Sequence, residues 1–264
     1  EASFGGAENW AKVQDFRFEG VLELPEGEFP FFGYLKKPDF SKVILYGEGA
    51  AQVIMAYDGA DAWQIVPPAR AAADMPAPVA ADFVRDAPVG GLLLYPSLPG
   101  KRIEALGERK VGKFRCRDLR VTLPTGQLVT YAIDLETGLE RQKITTSAAS
   151  GKVETLTHNR WEAYEGVVIL AESTLTVDGE AVFTSRIQHV EVNAGLEPGM
   201  FERPPDLVPG ATAGMLDIEG PFQMPGLHLP ARPPEDGWGA PSTDPDDPFK
   251  LRQPASSAQP GPNK

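Results

Sequence analysis

A single cysteine, Cys116, and three dispersed histidines are all that 264 residues offer in thiol and imidazole. No intrachain disulfide can form, and too few ligands exist for a structural zinc site. Positive charge is also scarce: 25 Lys and Arg face 37 Asp and Glu, a formal net charge of −12. That balance opposes the counterion-release binding that nucleic acid or an anionic membrane surface requires, and it excludes nucleic acid as a partner. Long apolar runs are missing as well. The longest, such as Val167 to Ala171 and Gly91 to Tyr95, fall far short of the roughly 18 to 20 residues of a membrane-spanning helix, so no transmembrane segment is expected. A basic-then-apolar leader is absent too, which fits a mature chain whose signal peptide has been removed.

What is present is a hydrophobic fraction of 42%, enough for a sizeable core. Apolar and polar residues alternate from about residue 10 to 210, broken by Gly, Pro or Asp-Gly at short intervals, the pattern of consecutive antiparallel strands. In Phe16 to Leu24, for instance, Phe16, Phe18, Leu22 and Leu24 share one face and Arg17, Glu19 and Glu23 the other. The remaining strands are predicted over 29–35, 42–46, 52–57, 62–66, 102–106, 113–123, 127–134, 139–147, 153–162, 167–177 and 181–192, twelve in all. Slips of apolar phase predict β-bulges within Lys113 to Leu123 and near Gln188-His189. Pro67 to Val89, rich in Ala, Pro and Asp, reads as a flap with a short helix over Ala80 to Arg85. From Pro221 onward eleven of the 26 prolines appear among Gly, Ser, Asp and Gln, so residues 211–264 read as an extension, mostly disordered beyond about 231.

Catalytic signals are weak. There is no G-x-S-x-G elbow and no Cys-His arrangement, and a non-enzymatic role without cofactor or metal is expected. His158 and His189 fall inside predicted strands, where a partly buried ring bonded to backbone or water is the simpler reading. His228 lies in the tail and reads as solvated. Cys116, flanked by Arg115 and Arg117, reads as a small hydrophobe filling a strand position. The carboxylates Asp244, Asp246 and Asp247 lack the Gly hinge and distant Glu of a calcium loop.

Several segments, in order, resemble one known family. Phe18-Glu19-Gly20, Tyr34-Leu35-Lys36-Lys37-Pro38, Ala56-Tyr57-Asp58-Gly59 with Trp63-Gln64-Ile65-Val66-Pro67, Tyr131 to Leu139, and Phe201-Glu202-Arg203-Pro204 are similar to strand and turn signatures of the LolA-like outer-membrane lipoprotein-sorting proteins, a superfamily that includes LolB and RseB/MucB. The resemblance covers about residues 4–205. It implies a curved, half-open antiparallel β-barrel of about eleven strands with a few short helices as lid, in a domain spanning residues 1–210. It further implies a periplasmic or otherwise extracytoplasmic protein holding a lipid or acylated lipoprotein. Arg17 is the positional candidate for a lid-holding arginine.

In such a half-barrel the aromatic and flexible side chains of the early strands line the concave face. Phe18, Leu22, Phe31, Tyr34, Met55, Tyr57, Trp63, Ile65 and Leu94 are the expected contacts to an acyl chain, each buried methylene contributing about 0.8 kcal/mol. The alternative is that the same residues fill the core, leaving an interaction module for other envelope proteins with no lipid ligand.

Overall fold

A computed structural model describes residues 4–47, 52–94 and 99–205. The extension over 211–264, with His228 and the Asp244 group, lies outside the described residues. A short helix α1 (Ala7–Lys12) leads into strands β1 (Asp15–Leu24), β2 (Gly27–Lys36), β3 (Phe40–Tyr46), β4 (Gln52–Tyr57), β5 (Ala62–Ile65) and β6 (Ala73–Asp74). Helix α2 (Ala77–Arg85) and a 3-10 turn (Leu92–Leu94) follow. The chain then runs through β7 (Arg102–Val111), β8 (Phe114–Thr122), β9 (Leu128–Asp134), β10 (Glu140–Thr146), β11 (Val153–Tyr164), β12 (Val167–Val177) and β13 (Glu180–Val192).

All thirteen strands join one antiparallel sheet in the order β6-β5-β4-β3-β2-β1-β13-β12-β11-β10-β9-β8-β7. Each half is a meander, and the pairing of β1 with β13 joins the first strand to the last. The sheet is not closed into a barrel; it is the curved half-barrel expected from the sequence, with thirteen strands rather than eleven or twelve. The extra strand, β6, is two residues long and hides in the Ala/Pro/Asp-rich flap.

Turn chemistry explains the tight hairpins. Glu165-Gly166 and Asp178-Gly179 each hold two consecutive positive φ values, 46° and 86° and 50° and 90°, the two-residue geometry that matches strand twist. The bulge expected near Gln188-His189 is present: His189 pairs with Glu19 and Ile187 with Gly20, leaving Gln188 extra. The irregularity expected within Lys113 to Leu123 sits instead on the partner strand, where Leu106-Gly107 stands opposite Asp118 and β8 runs unbroken against β9.

Two cross-strand pairs shape the β1–β2 wall. Phe18 faces Gly33, and Gly20 faces Phe31. A Cβ on Gly33 would meet the Phe18 ring at 1.9 Å, and one on Gly20 would meet the Phe31 ring at 2.7 Å, so each ring lies across a bare backbone. The two rings meet edge to face at 6.1 Å.

Both faces of β2–β5 are covered. On the inner face α2 sets Val79, Ala80 and Phe83 against a cluster of Leu22, Phe31, Leu45, Val53, Met55 and Met75. On the outer face the segment after β13 lays Leu196 and Phe201 over Phe32, Tyr34 and Ile44. Buried Asp15 accepts from the Gly195 and Leu196 amides, Lys42 donates to the Met200 carbonyl, and Arg203 bonds Asp74 and the Ala72 carbonyl, fastening this strap along its length. Among the described residues no helix is long and apolar enough to cross a membrane.

Candidate functional site: a hollow beneath helix α2

Helix α2 starts cleanly because Pro78 occupies its first turn, where a missing N–H costs nothing. It ends at Asp86, its C-cap. A cavity of about 340 Å³ lies between the helix and the inner face of the sheet, and an adjoining one of about 300 Å³ lies past the C-terminal end of the helix, bounded by Trp10 of α1 and Gly90 to Leu92. These are at the lower end of the range of ~300 to 1,000 Å³ for small-molecule sites. They share Phe18, Leu35, Arg85, Asp86, Lys143 and Leu156. Trp10, Trp161, Ile169 and Val190 complete much of the first lining; Met55, Phe83, Leu175 and Phe183 complete much of the second. The hollow is therefore an apolar trough crossed by a charged bar.

The bar has defined geometry. Arg85 Nη1 donates to Asp82 Oδ1 at 2.8 Å and its Nη2 to Asp86 Oδ2 at 2.9 Å, while Lys143 of β10 donates to Asp86 Oδ1. Asp82 is saturated: it also accepts from Ser147 Oγ at 2.8 Å and from the Ala148 and Ala149 amides. These bonds pin the middle of α2 to the β10–β11 turn. Burial opposes ionisation of Asp86, but Lys143 and Arg85 outweigh it and hold its carboxyl down to about 2.

Other polar groups around the trough are pushed toward neutrality. Burial raises Glu140 and Glu154 each to about 7 and lowers His158 to about 4. Nδ1 of His158 lies 3.3 Å from the Glu140 carbonyl, and Trp161 Nε1 donates to the same oxygen at 3.1 Å. His158 is the buried ring bonded to backbone that its strand position predicts; His189 differs, being exposed beside Glu191. Cys116 is fully buried, and burial pushes its thiol up, in keeping with a packing role.

Of the sequence-predicted lining residues, Phe18 borders both cavities and Met55 the second. Leu22 and Phe31 join the cluster under α2, and Leu94 packs with Trp10 and Val89. Tyr57 shares the inner face with Met55 by strand alternation and donates to the Gly59 carbonyl at 2.9 Å. Three expectations are corrected. Tyr34, Trp63 and Ile65 point to the outer face: Tyr34 beneath Leu196 and Phe201, Trp63 and Ile65 with Ala56 and Ala72. Trp63 Nε1 donates to the Phe201 carbonyl at 2.8 Å, so this ring anchors the strap. Alternation alone could not sort them, because both faces of these strands are apolar. Arg17 is likewise on the outer face, paired with Glu19 and Glu191, and it is Arg85 that ties the helix down. The charged bar and the tryptophans Trp10 and Trp161 were not anticipated.

No protein-family model and no curated protein sequence matches the chain. Solved structures do. A DUF1329 family protein from Desulfovibrio piger superposes with a TM-score of 0.55 at 17% identity, over 74% of this chain and 92% of that one. A LolA superfamily protein from Nitrosomonas europaea gives 0.54 at 11% identity, over 75% and 94%. The fold is LolA-like.

Proposed function

We propose that the chain is a non-catalytic, extracytoplasmic binding protein that holds the acyl chain of a lipid or acylated lipoprotein in the trough beneath α2, as a carrier or sensor. The observation that carries this reading is the trough itself. It is largely apolar along its walls, carries aromatic side chains in both cavities, and is bounded by α2 together with Trp10 and the Gly90 to Leu92 segment. Burying a chain of about fourteen carbons there gains about 0.8 kcal/mol per methylene, enough for useful affinity after the cost of ordering the chain. The LolA-like fold supports the assignment by analogy, because the family resemblance in the sequence implies the same kind of ligand. Binding and release would turn on α2, which is held by a few polar contacts and one apolar cluster.

Native mass spectrometry of freshly purified protein, followed by organic extraction, tests the reading. Co-purifying acyl lipid in near-stoichiometric amount is expected. Protein that carries none, and that takes up none from mixed lipid extracts, would leave an envelope protein-interaction module as the better account.

A further inference from the structure

We propose that the trough selects a single-chain amphiphile with an anionic head, a carboxylate or phosphate that replaces Asp86 between Arg85 and Lys143. This rests on the apolar-ligand reading above and adds the head-group chemistry to it.

The two cavities meet at this point and nowhere offer another cation: both are lined, among the described residues, by Arg85 and Lys143 and by no further Lys or Arg. The two cations are well inside, with side-chain exposures of 5% for Arg85 and 17% for Lys143. Their two carboxylate partners are unlike each other. Asp82 is committed to the β10–β11 turn through three further hydrogen bonds and cannot leave without unpinning α2. Among the described residues the Asp86 carboxylate bonds to Arg85 and Lys143 alone, and its side chain is 40% exposed. It also sits at the C-terminal end of α2, where the helix dipole disfavours a carboxylate. Rotating Asp86 into water breaks only its bonds to Arg85 and Lys143, leaves the Asp82 anchor of α2 in place, and uncovers two buried cations facing both apolar cavities.

Those cations then require an anion, because a buried unpaired charge is strongly disfavoured. Glu140 and Glu154 do not supply it at neutral pH or below, since burial leaves each substantially protonated. An incoming carboxylate or phosphate takes over charge-assisted bonds of the Arg85 fork and Lys143, while its chain lies in either cavity. A neutral head leaves Asp86 in place and gains nothing from the cations.

The test is competition for a fluorescent apolar probe at pH 6.5, where Glu140 and Glu154 are largely protonated and a fatty-acid carboxylate is ionised, using myristate, 1-monomyristin and acetate against the full chain, Lys143→Met and Asp86→Asn. Myristate is expected to outcompete monomyristin. Lys143→Met should weaken myristate by about tenfold or more, the size of a lost charge-assisted hydrogen bond, and leave monomyristin within about twofold. Asp86→Asn, at a half-exposed position that leaves the sheet untouched, should bind myristate more tightly than the parent. Equal binding of myristate and monomyristin, with neither changed by the two substitutions, would overturn the proposal while leaving the apolar-ligand reading intact. Failure of both amphiphiles to bind would sink that reading too. Acetate competing as well as myristate would mark a small-anion site and overturn the amphiphile assignment.

Discussion

Replacing Gly33 by Ala tests how the wall of the trough is built. The added Cβ falls 1.9, 2.1 and 2.6 Å from three atoms of the Phe18 ring, where carbon atoms in contact normally stand about 3.5 to 4.0 Å apart. The ring must move by well over an ångström, and overpacking of this kind costs about 1 to 3 kcal/mol. Phe18 lines both cavities, so affinity for an apolar ligand should fall with stability. Phe18→Ala alone removes a half-buried ring and its contact with Phe31, about 3 kcal/mol at most. In the double variant the new methyl finds the space the ring has left, so the pair should cost no more than Phe18→Ala by itself. Urea unfolding of the four proteins should give a coupling of about 1 to 3 kcal/mol. Additivity within about 0.5 kcal/mol would show that the ring does not depend on the bare backbone at position 33, refuting the reasoning.

Trp63→Phe should lose about 1 kcal/mol in thermal unfolding, because the Phe201 carbonyl loses its buried donor, while ligand affinity stays unchanged from the outer face. Asp82→Ala should cost about 3 to 5 kcal/mol, since it strips Arg85 of one buried partner and leaves the Ser147–Ala149 turn unsatisfied; circular-dichroism melts would show it. Glu154, raised to about 7 in the fold, binds more protons folded than unfolded between its ordinary range and pH 7. Its contribution is therefore lost as pH rises through that window, and Glu154→Gln should be more stable than the parent at pH 8 but not at pH 4, in paired denaturation curves. His158, lowered to about 4, has the opposite slope: its contribution is lost as pH falls from about 6.5 toward 4, and His158→Phe should remove that part of the acid loss.

The strands were legible because local signals agree with the fold. At β4 and β12 the ends read from alternation and Gly punctuation coincide with Gln52–Tyr57 and Val167–Val177. Short β6 carries no periodicity and owes its pairing to Trp63 and Gln64 across the flap. The residues of the hollow were only partly legible. Phe18 and Met55 follow from alternation, but Tyr34 and Trp63 read the same way and face the strap instead, because the covering Leu196 and Phe201 lie about 130 to 170 residues away in sequence. Lys143 lies inside the strand predicted over 139–147 and Arg85 ends the helix predicted over Ala80 to Arg85, and nothing in their local sequence marks either as part of a site. Only the meeting of α2 with β10 turns them into a buried bar, and no local pattern announces that meeting.

The central claim is that an acyl chain lies on the inner face, and its most direct test uses the four tryptophans. Trp161 borders the first cavity, whereas Trp63 is buried on the outer face beneath the strap. In variants retaining only one of them, the others changed to Phe, the methyl ester of a brominated fatty acid serves as a short-range quencher with no charged head. Saturable quenching of Trp161, with Trp63 emission unaffected, is the predicted result. Quenching of Trp63 alone, or of neither at concentrations that saturate lipid-binding controls, would place the ligand elsewhere and contradict the account.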